Sequence, residues 1–188
     1  MKLLRVQLPL LRMMNMLKGY NYIKIQVIAM AFFISAVVNA QMQKEEFTPS
    51  VDDNWLVNVD EAYALSKETN RPIMANFTGS DWCGWCKKLR REVFDTPEFK
   101  SWAAENVILL ELDFPRRKQL PEQQVTQNRS LQQAFRVTGF PTIWVFDLDK
   151  NTETKQYQLQ AYGKTGYLPG GPANYTKQLD KMLDKKKN

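Results

Sequence analysis

From Trp55 onward, short apolar runs alternate with longer stretches in which apolar side chains recur at helical spacing. Ile73-Met-Ala-Asn-Phe77 and Val107-Ile-Leu-Leu-Glu-Leu-Asp113 are continuous apolar runs too short for typical helices. They predict central strands covered on both faces. Trp55-Leu-Val-Asn-Val59 predicts a further short strand. Ile143-Trp-Val-Phe146 predicts another, folded back through a turn at residues 147–151 onto residues 156–162 as a hairpin.

Between these runs the pattern is helical. Asp60 is a candidate N-cap for a helix to Thr69 with Ala62, Leu65 and Ser66 on one face, and Asn70 is its stop. Helix-forming residues follow Cys83 as far as Phe94. Thr96-Pro97-Glu98 combines a hydroxyl cap, proline at the first helical position and an acid at the positive dipole end, which predicts a helix to about Asn106. Residues 130–137 predict a short helix, and residues 172–185 a closing one that buries Tyr175, Leu179 and Met182 or Leu183. The resulting order, β-α-β-α-β-α-β-β-α, predicts an α/β domain of three layers. Its helix-linked strands should pair in parallel, and the hairpin should add an antiparallel edge.

Residues 41–54 are polar and read as a leader into a single domain over residues 55–184, with residues 185–188 as a frayed basic tail. Before them lies a different pattern. Residues 27–38 are apolar but for Ser35, follow Lys18 and Lys24, and end at Val38-Asn39-Ala40. A spanning helix needs about 20 apolar residues. This run is shorter, so residues 1–40 read as a signal peptide cleaved after Ala40, with an uncleaved anchor as the alternative; Met13, Met14 and Met16 offer later starts. Either reading places the domain outside the cytoplasm, in the periplasm if the source is Gram-negative.

The formal charge of +6 suggests a polyanionic partner until its distribution is considered. The first forty residues hold Lys2, Arg5, Arg12, Lys18 and Lys24 and no acid, so the remainder carries 21 basic and 20 acidic side chains. A nearly neutral mature chain excludes a nucleic-acid role based on steering.

The chain has two cysteines and no histidine, so a framework of structural disulfides is excluded. A C-x-x-C pair is also half of a zinc site, but tetrahedral zinc needs four ligands, and only an intermolecular site would be left. Cys83-Gly-Trp-Cys86 instead places two thiols three apart at a helix start, close enough to close a small ring. Orphan N–H groups and the helix dipole there stabilise a thiolate on Cys83, expected to be the more exposed of the two, below the free value of about 8.5. Cys83 is thus the candidate nucleophile and Cys86 the resolving thiol, so that the pair itself is the redox centre without a further cofactor.

Trp82-Cys-Gly-Trp-Cys-Lys87 after a buried strand, with Gly139-Phe-Pro-Thr142 beyond it, resembles the thioredoxin superfamily over residues 55–183. The resemblance implies a central mixed sheet flanked by helices, and a cis bond between Phe140 and Pro141 lying against the cysteines, where Phe140 and Pro141 bind a peptide. It also implies a buried acid before Phe77, where this chain has Asn76, leaving Asn76 a supporting role. Glu111, inside an apolar run, is the candidate to take over as proton acceptor for Cys86; the alternative is an ordinary strand acid facing solvent or a lysine. Trp82 supports the active-site turn, and Trp85 is either an apolar contact for a partner or simple packing. Residues 116–118 read as a solvated loop.

The implied activity is thiol:disulfide exchange with protein thiols and disulfides, coupled to an electron-donating or electron-accepting redox protein, a membrane-bound one among the candidates. Strong oxidants of this fold carry histidine where this chain has Trp85, which favours a reductase. The alternatives are a disulfide oxidase or isomerase, and a non-enzymatic binding or redox-sensing module.

Overall fold

The computed structural model describes residues 46–187 apart from 152, 155 and 156. The expected signal peptide, its cleavage point, residues 41–45 of the polar leader, Gln156 at the hairpin and Asn188 of the tail lie outside the described residues. Among the described residues no helix is long and apolar enough to cross a membrane.

The elements are α1 (Val59–Thr69), β1 (Ile73–Thr78), α2 (Gly84–Leu89), a π-helical turn (Arg90–Phe94), α3 (Pro97–Asn106), β2 (Ile108–Asp113), α4 (Glu122–Ala134), β3 (Thr142–Lys150), β4 (Tyr157–Thr165) and α5 (Gly171–Lys187). The strands form one mixed sheet in the order β2-β1-β3-β4. Both apolar runs become strands buried along their whole length. Alternation along them feeds two cores. Met74, Leu109, Ile143 and Val145 face α2, α3 and α5, while Ala75, Phe77, Leu110, Leu112 and Phe146 face the side covered by Val59, Ala62 and Phe135. The three-layer α/β architecture is as the pattern predicts.

β1 and β2 pair in parallel, but β3 runs antiparallel to β1, against the expectation that helix-linked strands are parallel. The reason is where β3 starts. Phe77 pairs with Leu112 on one side and Thr142 on the other, so β2 ends and β3 begins at the same end of the sheet. α4 carries the chain across β1 rather than back along it, and so delivers Phe140 and Pro141 to the end where β1 releases the cysteine turn.

Several boundaries move for local reasons. The strand expected at Trp55 shrinks to a single bridge from Leu56 to Leu110. Asn58, not Asp60, caps α1 by accepting the Asp60 and Glu61 N–H groups, which commits Val59 to the helix. Asn70 ends that helix in the left-handed conformation at φ 53°. Thr96 and Pro97 start α3 as expected.

α4 begins eight residues before the expected 130, because its inward face is built from amides rather than apolar side chains. Buried Gln124 bonds both the N–H and the C=O of Thr48, Gln127 bonds Val59 and Val57, and buried Asn128 donates to the Asp113 carbonyl. Residues 46–54 are thereby packed against the domain. β3 and β4 extend past the expected turn, since Asp147 is held within the hairpin by the Tyr162 hydroxyl, at 2.6 Å. α5 buries all four expected side chains and continues through Lys187. Lys186 is not frayed: its ammonium reaches the Asn70 carbonyl and Asp147. α5 also sits close on β4, where a Cβ at Gly163 would lie 2.9 Å from Met182.

Candidate active site

β1 ends at Thr78, and Gly79 turns the chain back so that its carbonyl accepts the N–H groups of Trp82 (3.2 Å) and Cys83 (2.8 Å). Glycine is required by close approach, since a Cβ there would sit 2.5 Å from the Trp82 ring. Two carboxylates hold the turn. Buried Asp113 accepts the Ser80 N–H and hydroxyl and pairs with Lys118, while Asp81 accepts the N–H groups of Arg116 and Arg117. The loop at residues 116–118, expected to be merely solvated, is therefore bolted to the cysteine turn through its backbone.

Cys83 is the N-cap of α2 and is joined to Cys86 by a disulfide with Cα atoms 5.3 Å apart. Its Sγ accepts the Cys86 N–H at 3.1 Å, so the helix's orphan donor already points at this sulfur. The expected difference in exposure is absent: both cysteines are 6% exposed. Closing the ring folds Cys83 back over the first turn of the helix. Position and hydrogen bonding, rather than accessibility, distinguish the two sulfurs.

Trp82 is fixed on every side. Its Nε1 donates to the Phe114 carbonyl, the Arg116 guanidinium lies 3.9 Å from a ring centre, and Phe140 meets it edge-on at 5.9 Å. The Phe140–Pro141 bond is cis, and Phe140 also stacks on Phe114 at 5.0 Å. The aromatic set thus brings Phe140 and Pro141 beside the turn bearing Cys83. Trp85 is packed on one face and open on the other. One side packs on Tyr167 at 5.1 Å, yet the residue is 58% exposed.

On the sheet face beneath α2, Asn76 and Glu111 are register neighbours and both are buried. Glu111 does not face solvent, and its ion-pair partner is an arginine rather than a lysine. Its carboxylate accepts the Ser50 hydroxyl at 2.9 Å and lies 3.5 Å from Arg90, one helical turn after Cys86. Burial pushes its carboxyl above the ordinary value of 4.5, and the Arg90 charge and the Ser50 hydroxyl pull it the other way. The Asn76 Oδ1 is buried and has no hydrogen-bond partner among the described residues.

A model of the thioredoxin-like domain matches residues 59–170. The chain belongs to the thioredoxin-like family. This thioredoxin-like chain is 37% identical over 123 residues to DsbH, a disulfide bond reductase of Chlamydia pneumoniae, covering 65% of the chain and 69% of that relative. It is 27% identical to the thiol:disulfide interchange protein DsbD of Haemophilus influenzae, covering 86% of the chain but 28% of DsbD. A solved DsbH oxidoreductase superposes with a TM-score of 0.60 at 29% identity, covering 78% of this chain and 98% of that one.

Within this thioredoxin-like site, sequence reasoning missed Ser50, Asp81, Arg90, Asp113 and Tyr167. Asp113 alone carried a signal, as the charged end of an apolar run level with the cysteine turn. Ser50, Asp81 and Arg90 are polar residues in polar surroundings, Tyr167 is an aromatic in a loop, and only the fold brings them to the site.

Proposed function

We propose that this thioredoxin-like thiol:disulfide oxidoreductase is exported, has its leader removed after Ala40, and works in the reductase direction on protein disulfides. The observation that carries the reading is the disulfide at the helix start, with Cys83 as N-cap receiving the Cys86 N–H. Once reduced, Cys83 holds its negative charge against those donors and attacks a partner disulfide. A bond forms between Cys83 and one partner sulfur while the other leaves as thiolate. Cys86 then attacks the Cys83 sulfur, releasing the second partner thiolate and restoring the internal disulfide. The pair carries both electrons without a bound cofactor. A separate redox protein supplies the electrons for the next cycle, and Phe140, Pro141 and Trp85 contact the polypeptide being reduced. The name of DsbH, a disulfide bond reductase, supports the direction, as does tryptophan between the cysteines.

The test is equilibration in glutathione buffers with free thiols counted at each. A potential nearer about −270 mV than about −120 mV is expected of a reductase. A value at the oxidising end makes it an oxidase or isomerase, and a pair that never cycles makes it a binding module.

Glu111 is the proton acceptor for Cys86 in this reading, directly or through water. The support is its burial on the sheet face below α2 and its link to Arg90 on the turn following Cys86. Glu111→Gln should slow release of the mixed disulfide at neutral pH by roughly 10²-fold. The rate should then rise with pH as Cys86's own ionisation does. An unchanged pH profile would leave Glu111 a structural residue. Stability gives an independent check. The folded state holds this proton more tightly than the unfolded chain, so the group makes stability fall as pH rises from 4.5 through its raised value. The glutamine variant should lose that slope in a pH series of urea unfolding curves.

A further inference from the structure

The cysteine turn and the loop after β2 carry four cations beside the disulfide's neighbours. Lys87 and Lys88 directly follow Cys86. The Lys87 ammonium donates to the Asp81 carbonyl, and that of Lys88 lies 5.2 Å from the Trp85 ring and 4.9 Å from Tyr167. From the loop after β2, Arg116 covers Trp82, and exposed Arg117 comes next on the same anchored loop. None of these four cations pairs with a carboxylate of the described residues.

The acids nearby are committed elsewhere. Asp81 faces the loop N–H groups, Asp113 is buried with Ser80 and Lys118, and Glu92 accepts the Tyr167 hydroxyl and pairs with Arg91. Beyond residue 40 the chain has 21 basic and 20 acidic side chains, so this excess is local rather than a reflection of a basic protein.

We infer that the polypeptide reduced at this site presents acidic side chains around its disulfide, seated on a rim of Lys87, Lys88, Arg116 and Arg117 with Trp85 as the apolar centre. The inference rests on the thiol-exchange reading and adds the class of substrate. Complementary charge raises the rate of encounter and orients the partner, and it acts over the Debye length of about 10 Å at 0.1 M salt. That reach spans a rim whose members all touch or adjoin residues flanking the cysteines. The same cations favour the thiolate that leaves when Cys83 attacks.

The experiment uses the reduced protein and two cyclic disulfide peptides, identical except that aspartates flank the cysteines in one and lysines in the other. Each reduction rate is divided by the rate with tris(hydroxypropyl)phosphine, whose reacting form is uncharged, which removes the peptide's own reactivity. The acidic peptide should react at least about tenfold faster at roughly 20 mM salt, with most of that advantage gone at roughly 0.5 M. Arg117→Glu, whose exposed side chain makes no contact needed by the turn, should reduce the preference severalfold. Equal normalised rates at low salt, or a preference indifferent to salt, would overturn the acidic-substrate inference and leave the oxidoreductase reading standing. Failure to reduce either peptide would overturn both.

Discussion

Replacing Cys86 with alanine is expected to abolish turnover while leaving Cys83 able to attack, so the variant accumulates as a mixed disulfide with its substrate. The two sulfurs occupy different chemical positions even though both are buried. Cys83 caps α2 and receives the Cys86 N–H, and the helix dipole favours charge on that atom. Cys86 lies within the first turn, and among the described residues no N–H donates to its sulfur in the same way. Its contribution is the second attack, which breaks the bond between Cys83 and the substrate. Without it, release depends on an external thiol, and steady-state turnover should fall by roughly a thousandfold or more, the scale seen when a reacting group is removed. Intact-mass measurement of the reaction should show protein plus substrate, sensitive to dithiothreitol. Cys83→Ala should show no such adduct. Trapping by Cys83→Ala in place of Cys86→Ala would reverse the assigned roles.

The largest expected loss of stability comes from Tyr175→Ala. Tyr175 is fully buried where α5 meets the π-helical turn. It contacts Phe94 edge-on at 5.7 Å and donates its hydroxyl to the Gly166 carbonyl at 3.1 Å. Truncation removes a large ring from a packed core and should cost about 3–5 kcal/mol, a substantial share of the 5–15 kcal/mol typical of a folded domain. Tyr175→Phe keeps the ring and should cost only about 1 kcal/mol for the lost hydrogen bond. Urea unfolding of the oxidised protein measures both. A loss below about 1 kcal/mol for the alanine variant would mean that α5 is not coupled to the core carrying the cysteine helix.

The elements legible in sequence were those whose burial is recorded in side-chain type. β1 and β2 are apolar throughout because both faces are covered, and α3 carries its own start signal in Thr96 and Pro97. α4 was misplaced because its inward residues are Gln124, Gln127 and Asn128, whose burial is satisfied by backbone partners from residues far away in the chain. The hairpin was drawn too short because Asp147 looks like a turn residue until Tyr162 and Lys186 are placed beside it.

The candidate site divides in the same way. A pair of cysteines three apart at a helix start is local chemistry, so that pair, its redox character and the α/β layering around it follow from the chain's own pattern, as does a glutamate in an otherwise apolar strand. That β3 runs antiparallel, which delivers Phe140 to Trp82, and that Glu111 meets Ser50 and Arg90 beneath α2 are set by packing between distant segments. Packing also sets Lys88 of α2 over Trp85 and Arg116, from the loop after β2, over Trp82, the aromatic neighbours of the two cysteines. Spacing along a helix or strand sets which neighbours a residue meets locally, whereas contacts between elements depend on how chain closure and packing juxtapose segments that carry no mark of one another.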